Sequence, residues 1–176
     1  MSLWVFGYGS LLWDPGFTPV RQVKACLYDY HRSFCMLSIH HRGTEENPGL
    51  VLALDHAAGA QCTGMAFEVA PDEAEDVLAQ LRERELISSA YYEDIVTVKD
   101  ADGTAIEAVT YIVEREHQQY CQFPLEKQAQ MIADAVGGRG PNTEYLFNTV
   151  RLLKELNIRD DDLDWLDARV RALRAT

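Results

Sequence analysis

The apolar periodicity changes along this chain, and the order of that change limits the fold more than any single motif. Up to residue 113 the apolar residues fall into short strand-like runs, interrupted once by a helical segment, and from Leu125 onward they recur only at helical spacing. Residues 4–7 read as an N-terminal strand and 25–39 as one or two strands. Residues 50–54 and 62–69 read as a hairpin turning at Ala57-Ala58-Gly59. Residues 93–98 and 106–113 read as a second hairpin, reversing through Asp100-Ala101-Asp102-Gly103. Between the hairpins, residues 71–86 form a helix with Pro71 at its start and Asp72, Glu73 and Glu75 in its first turn, where acids complement the dipole. Helices follow at 125–136, at 141–156 after a glycine loop, and after the Asp160–Asp162 start, the last with Leu163, Leu166, Val170 and Leu173 on a core face. Strands, one inserted helix, more strands and a helical tail specify α+β, with a mainly antiparallel sheet able to close into a small barrel. No βαβαβ alternation is present, which argues against a Rossmann fold.

At 176 residues the chain suits a single domain spanning 1–176. A formal net charge of -12 argues against a nucleic-acid binder or an anionic-membrane binder, which need a basic surface. An anionic substrate would then need local arginines or backbone N–H groups. There is no signal-peptide pattern and no apolar run long enough to span a bilayer, so the expected location is cytoplasmic. Cys26, Cys35, Cys62 and Cys121 lack C-x-x-C spacing and suit packed, reduced thiols. His40 and His41 are adjacent on an extended segment and point to opposite faces, so no metal site is expected.

Candidate chemistry starts at Tyr8-Gly9-Ser10-Leu11. Here an apolar strand breaks at glycines, and the backbone N–H groups after Tyr8 are free to hold a carboxylate or an oxyanion. The plainer reading is a strand followed by a tight turn. The helix of 71–86 supplies a second candidate. Ala74, Val77, Leu78 and Leu81 make its apolar stripe, which continues at helical spacing to Glu85, while Glu83 lies about 200° away. A carboxylate on a buried face should have a raised pKa, which suits a general base that later acts as an acid, unless Arg82 or Arg84 pairs with it. Tyr145 falls in line with Leu152 and Leu156, so its ring belongs near the core and its hydroxyl needs a partner. Arg42 can clamp a substrate carboxylate or simply pair with Glu45. Ser10 lacks a G-x-S-x-G elbow, which weakens a serine-hydrolase reading.

Several segments stand out together: Phe6-Gly7-Tyr8-Gly9-Ser10-Leu11 with Trp13, Tyr30-His31-Arg32-Ser33-Phe34, His41-Arg42-Gly43-Thr44 with Pro48-Gly49, Arg84-Glu85, Thr110-Tyr111-Ile112, and the run from Gly140 to Asn148. In their order and spacing they resemble the bacterial, glutathione-specific type of ChaC-like gamma-glutamylcyclotransferase. The resemblance implies a mixed, mainly antiparallel small β-barrel ringed by helices with a helical C-terminal tail. It implies that the Tyr8-Gly9-Ser10-Leu11 loop holds the gamma-glutamyl group, that Glu85 is the catalytic acid/base and that Tyr145 lies close to the site. The implied reaction releases 5-oxoproline and, from glutathione, cysteinylglycine, without a cofactor. Other gamma-glutamyl amines or amino acids as substrates, and a non-catalytic binding protein of the same fold, are the alternatives. Ser89-Ala90 departs from the glycine common in relatives at that point, which bears on substrate choice.

Overall fold

The computed structural model describes residues 2–86 and 90–175, so Ser89 lies outside the described residues. In chain order the strands are β1 (Leu3–Gly7), β2 (Arg21–Ser38), β3 (Gly49–Val69), β4 (Tyr91–Asp100), β5 (Ala105–Val113) and the two-residue β6 (Val136–Gly137) and β7 (Gly140–Pro141). The helices are α1 (Ser10–Trp13), α2 (Ala74–Leu86, preceded by a 3-10 turn at Pro71–Glu73), α3 (Leu125–Asp134), α4 (Asn142–Glu155) and α5 (Asp161–Arg174). The chain divides into two compact units. The first comprises residues 1–32 and 53–117, and the second comprises 33–52 and 118–176. The long strands β2 and β3 pass from one unit into the other.

In the first unit five strands close a mixed barrel in the order β1-β3-β2-β4-β5. The β1–β3, β2–β4 and β4–β5 pairs are antiparallel, and β5 runs parallel to β1 at Val5↔Val109 and to β3 at Leu54↔Ile112. The expected α+β class, the barrel and the helical C-terminal segment are all present. The hairpin at 100–103 forms as its turn chemistry requires. Gly103 takes φ +82, and the Asp100 carboxylate accepts from the N–H groups of Asp102 and Thr104, each at 2.9 Å. One apolar cluster fills the barrel, with Phe6, Tyr8, Leu27, Leu54, Val98 and Ile112 among its members. A second, built on Val5, Leu11, Val69, Val77, Leu81, Val109 and Tyr111, packs α2 against the wall.

The expected hairpin at Ala57-Ala58-Gly59 does not form, and β3 continues through it to Val69. Within the neighbouring strands β2 and β3, Asp29 at φ 68 and Gly59 at φ 82 take positive φ. The Gly59 N–H donates to Asp29 Oδ1 at 3.0 Å. The glycine thus absorbs an irregularity within a paired strand, as in a bulge. β3 also passes very close to β1, because a Cβ at Gly64 would lie 2.3 Å from the Gly7 carbonyl oxygen. Only glycine fits there.

The second unit packs α3, α4 and α5 around Ile132, Leu146, Leu163 and Leu166, with Phe34, Met36 and Leu50 also fully buried. Asp160 caps α5 by accepting from the Leu163 N–H. Leu173 is only half-buried, unlike its three partners on the predicted stripe. The expected helix at 125–136 ends at Asp134, and the glycine loop after it folds into the β6–β7 ladder. Buried Asn142 splices the backbone of Leu50. Its Oδ1 accepts from the Leu50 N–H and its Nδ2 donates to the Leu50 carbonyl, both at 2.8 Å. All four cysteines are free thiols and three are buried, with burial pushing the Cys121 thiol up to about 11.

Candidate active site

The loop after β1 is held from two sides. The Tyr8 hydroxyl donates to the Tyr111 carbonyl at 2.9 Å, and the Tyr8 carbonyl accepts from Arg32 Nη1 at 2.7 Å. Arg32 also donates to the Thr63 carbonyl, and the Thr110 hydroxyl donates to the Phe6 carbonyl at 3.1 Å. Arg32 is a buried cation whose charge is spent on main-chain carbonyls. Beyond Tyr8 the chain turns once through α1. The Leu12 N–H donates to Gly9 O and the Asp14 N–H to Ser10 O. The N–H groups of Gly9, Ser10 and Leu11 have no acceptor among the described residues. The loop therefore carries three donors able to take an anionic oxygen. Tyr8 and Leu11 contribute buried side chains to the two apolar clusters, while the Ser10 side chain is half-exposed.

Glu85 lies where the helical stripe directs it, at the C-terminal end of α2, with its side chain only 17% exposed. Val77 and Leu81 on the same stripe are fully buried, and Glu83 is exposed. Of the two arginines weighed as partners, Arg82 turns away from Glu85. It grips Glu93 of β4 with two donors, at 3.0 and 2.9 Å. Arg84 lies alongside, with its Nε 3.6 Å from Glu85 Oε1. Burial and a neighbouring cation act on a carboxylate in opposite senses. The other two nitrogens of Arg84 reach the loop. Nη2 donates to Ser10 Oγ at 3.1 Å and Nη1 to the Asp14 carbonyl at 2.7 Å. One guanidinium therefore touches both the predicted acid/base and the predicted binding loop.

Tyr111 completes the surroundings of Glu85. Its hydroxyl donates to Glu93 Oε1 at 2.9 Å. Burial above all, then the bond and charge of Glu93 and the charge of Glu85, push its pKa far above the ordinary tyrosine range, so it stays protonated. Glu93 is held below the usual carboxylate range by its bond to Arg82, with burial opposing and Tyr111 assisting. Periodicity does not single out Tyr111, because the second half of β5 is buried on both faces and shows no alternation.

Arg42 and Tyr145 belong to the second unit and form one cluster there. The Arg42 side chain is buried, donates to the Pro141 carbonyl at 3.1 Å, and stands 3.6 Å from Glu144 Oε1 and 5.8 Å from the Tyr145 ring centroid. Its carboxylate partner is thus Glu144, not the expected Glu45. The Tyr145 hydroxyl accepts from the Leu52 N–H at 3.1 Å, and its ring meets Phe34 edge-on. Leu152 and Leu156, the residues predicted in line with it, are only half-buried.

A small closed barrel thus carries a loop of N–H donors, and Arg84 ties that loop to the largely buried Glu85 carboxylate. The chain belongs to the ChaC-like protein family, whose pattern matches residues 3–173. It is 33% identical over 174 residues to the glutathione-specific gamma-glutamylcyclotransferase of Escherichia coli strain K12, covering 98% of this chain and 74% of that one. It is 34% identical to gamma-glutamylcyclotransferase 2-3 of Arabidopsis thaliana, covering 97% and 89%. A crystal structure of a yeast gamma-glutamyl cyclotransferase specific to glutathione superposes with a TM-score of 0.88 at 22% identity, covering 98% of this chain and 97% of that one.

Proposed function

We propose that this protein is a glutathione-specific gamma-glutamylcyclotransferase and that Glu85 is its general acid/base. The observation that carries the reading is the brace between Glu85 and the Ser10 loop, which puts a proton acceptor and a set of oxyanion donors on one rigid frame. The E. coli and Arabidopsis relatives, similar over nearly the whole of this chain, support the substrate class. The family match runs through both compact units, which favours residues 1–176 as one functional domain.

The chemistry needs no outside nucleophile. The substrate's alpha-ammonium gives a proton to Glu85, and the freed amine attacks the side-chain amide carbonyl. A five-membered ring and a tetrahedral oxyanion form. Collapse of the oxyanion breaks the C–N bond as Glu85 returns the proton to the leaving nitrogen, and the ring nitrogen sheds its second proton, which the departing amine takes up, so that 5-oxoproline leaves as the lactam and cysteinylglycine as the ammonium. Folding the substrate so that amine and carbonyl meet supplies much of the acceleration, since the step is intramolecular once the substrate is bound. The N–H groups of Gly9, Ser10 and Leu11 take an anionic oxygen, either the alpha-carboxylate or the oxyanion. Tyr8 and Leu11 support the loop from the core, and Arg42 with Tyr145 contributes to binding, not to proton transfer. Four free thiols fit a reducing cytoplasm, where glutathione is abundant.

The test is incubation with reduced glutathione and detection of both products by mass spectrometry, with Glu85→Gln alongside. Equimolar 5-oxoproline and cysteinylglycine from the wild type alone is the expected result. Products from other gamma-glutamyl compounds only would move the substrate. No product from any of them would leave a binding protein.

A further inference from the structure

We infer that Arg84 is a positioning residue that fixes the Glu85 carboxylate against the donor loop. The inference rests on the reading of Glu85 as the acid/base, but its structural content is independent of the substrate. Each nitrogen of the guanidinium has a different partner. Nη1 meets the Asp14 carbonyl, Nη2 meets Ser10 Oγ with the Asp14 carboxylate 4.0 Å away, and Nε faces Glu85. A planar fork can serve three directions at once, whereas a lysine ammonium on a flexible stem cannot.

The loop needs such a brace. α1 is a single turn of four residues without a side-chain cap. A helix of that length has no stability of its own in water. Its internal ties are the bonds from the Leu12 and Asp14 N–H groups, and Arg84 grips both ends of the turn they close. Arg84 also lines a small, partly open pocket of about 130 Å³, together with Pro15, Phe17, Gln80 and Leu81 among others. A small cation from solution can therefore occupy the space that truncation of Arg84 would create.

The experiment compares wild type, Arg84→Ala, Arg84→Lys and Glu85→Gln in glutathione turnover, with and without millimolar guanidinium chloride, using sodium chloride at equal ionic strength as the control. Hydrogen exchange at the Leu12 and Asp14 amides is measured in parallel. In Arg84→Ala kcat should fall roughly 100-fold with KM moving less, the size expected of misplaced reacting groups. Guanidinium should restore part of that kcat saturably, sodium chloride should not, and Glu85→Gln should be restored by neither. Arg84→Lys should stay low, and both amides should exchange faster in both Arg84 variants. Wild-type turnover in either folded Arg84 variant, a loss confined to KM, or unchanged exchange would overturn the inference. If Arg84→Ala does not fold, Arg84→Lys alone decides by the same criteria. If the wild type makes no product yet exchange rises in the variants, the brace stands and only the glutathione reading fails.

Discussion

Helix α2 carries two arginines, two residues apart, that meet glutamates in different ways: Arg82 reaches Glu93 of β4, and Arg84 reaches its own neighbour Glu85. Arg82 and Glu93 form a closed pair: two short bonds join them, and Tyr111 donates to the same carboxylate. That carboxylate accepts three hydrogen bonds, and they favour its charged form. Arg84 and Glu85 form a looser pair. The cation approaches at 3.6 Å through one nitrogen and spends the other two on the loop. The closed pair ties helix to strand, while in the mechanism proposed above the looser pair holds the carboxylate that exchanges a proton.

The largest effect that would break this contrast is kinetic. Glu85→Gln should lower kcat by about 10² to 10⁴, the usual share of a positioned acid/base. Glu93→Gln should keep turnover within about tenfold of wild type. Steady-state kinetics on both variants, with circular dichroism to verify folding, measures the gap. Equal losses in the two would erase the distinction.

Stability should show the reverse order. Tyr111→Phe removes a buried hydroxyl that donates to a charged acceptor, at a cost of roughly 1.5 to 3 kcal/mol in denaturant unfolding. Glu85→Gln should cost less, because glutamine keeps the size and shape of the side chain at that position. A smaller loss in Tyr111→Phe than in Glu85→Gln would mean that the closed pair is not the structural one.

The same contrast explains what could be read in advance. The orientation of Glu85 follows from helical period alone, because α2 runs unbroken from Ala74 to Leu86 and its stripe is local. The hairpin at 100–103 was equally legible, since Asp100 and Gly103 carry the turn chemistry in themselves. The continuity of β3 was not. Ala57-Ala58-Gly59 has turn composition, and what keeps it in the strand is the side chain of Asp29, thirty residues away. Apart from the adjacent Arg84–Glu85 pair, which the sequence offers as an alternative, the arginine partners were illegible for the same reason. Glu45 is the near neighbour of Arg42 in sequence, but folding brings Glu144 to it, and the reach of Arg84 to Ser10 spans seventy-four residues. Local periodicity reports which face a residue occupies. The identity of its partner is a property of the closed fold.

The smallest expected effect is the pH dependence of the closed pair. Glu93 is held below the ordinary carboxylate range, chiefly by its bond to Arg82. The folded state therefore binds the proton less readily than the unfolded chain, where a glutamate titrates at about 4.3. The stabilisation from the pair is complete above that value and is lost as pH falls through the lower, folded value. In Glu93→Gln this contribution is absent at every pH. The difference in unfolding free energy between wild type and Glu93→Gln should thus be constant from neutral pH down to about 5 and shrink below the ordinary carboxylate range. Arg82 is exposed, so solvent screens the pair, and added salt should reduce the plateau. Urea titrations of the two proteins across that range would measure it. A difference that grew on acidification would mean that protonated Glu93, not the anion, is the form the fold prefers, and the closed pair would lose its structural role.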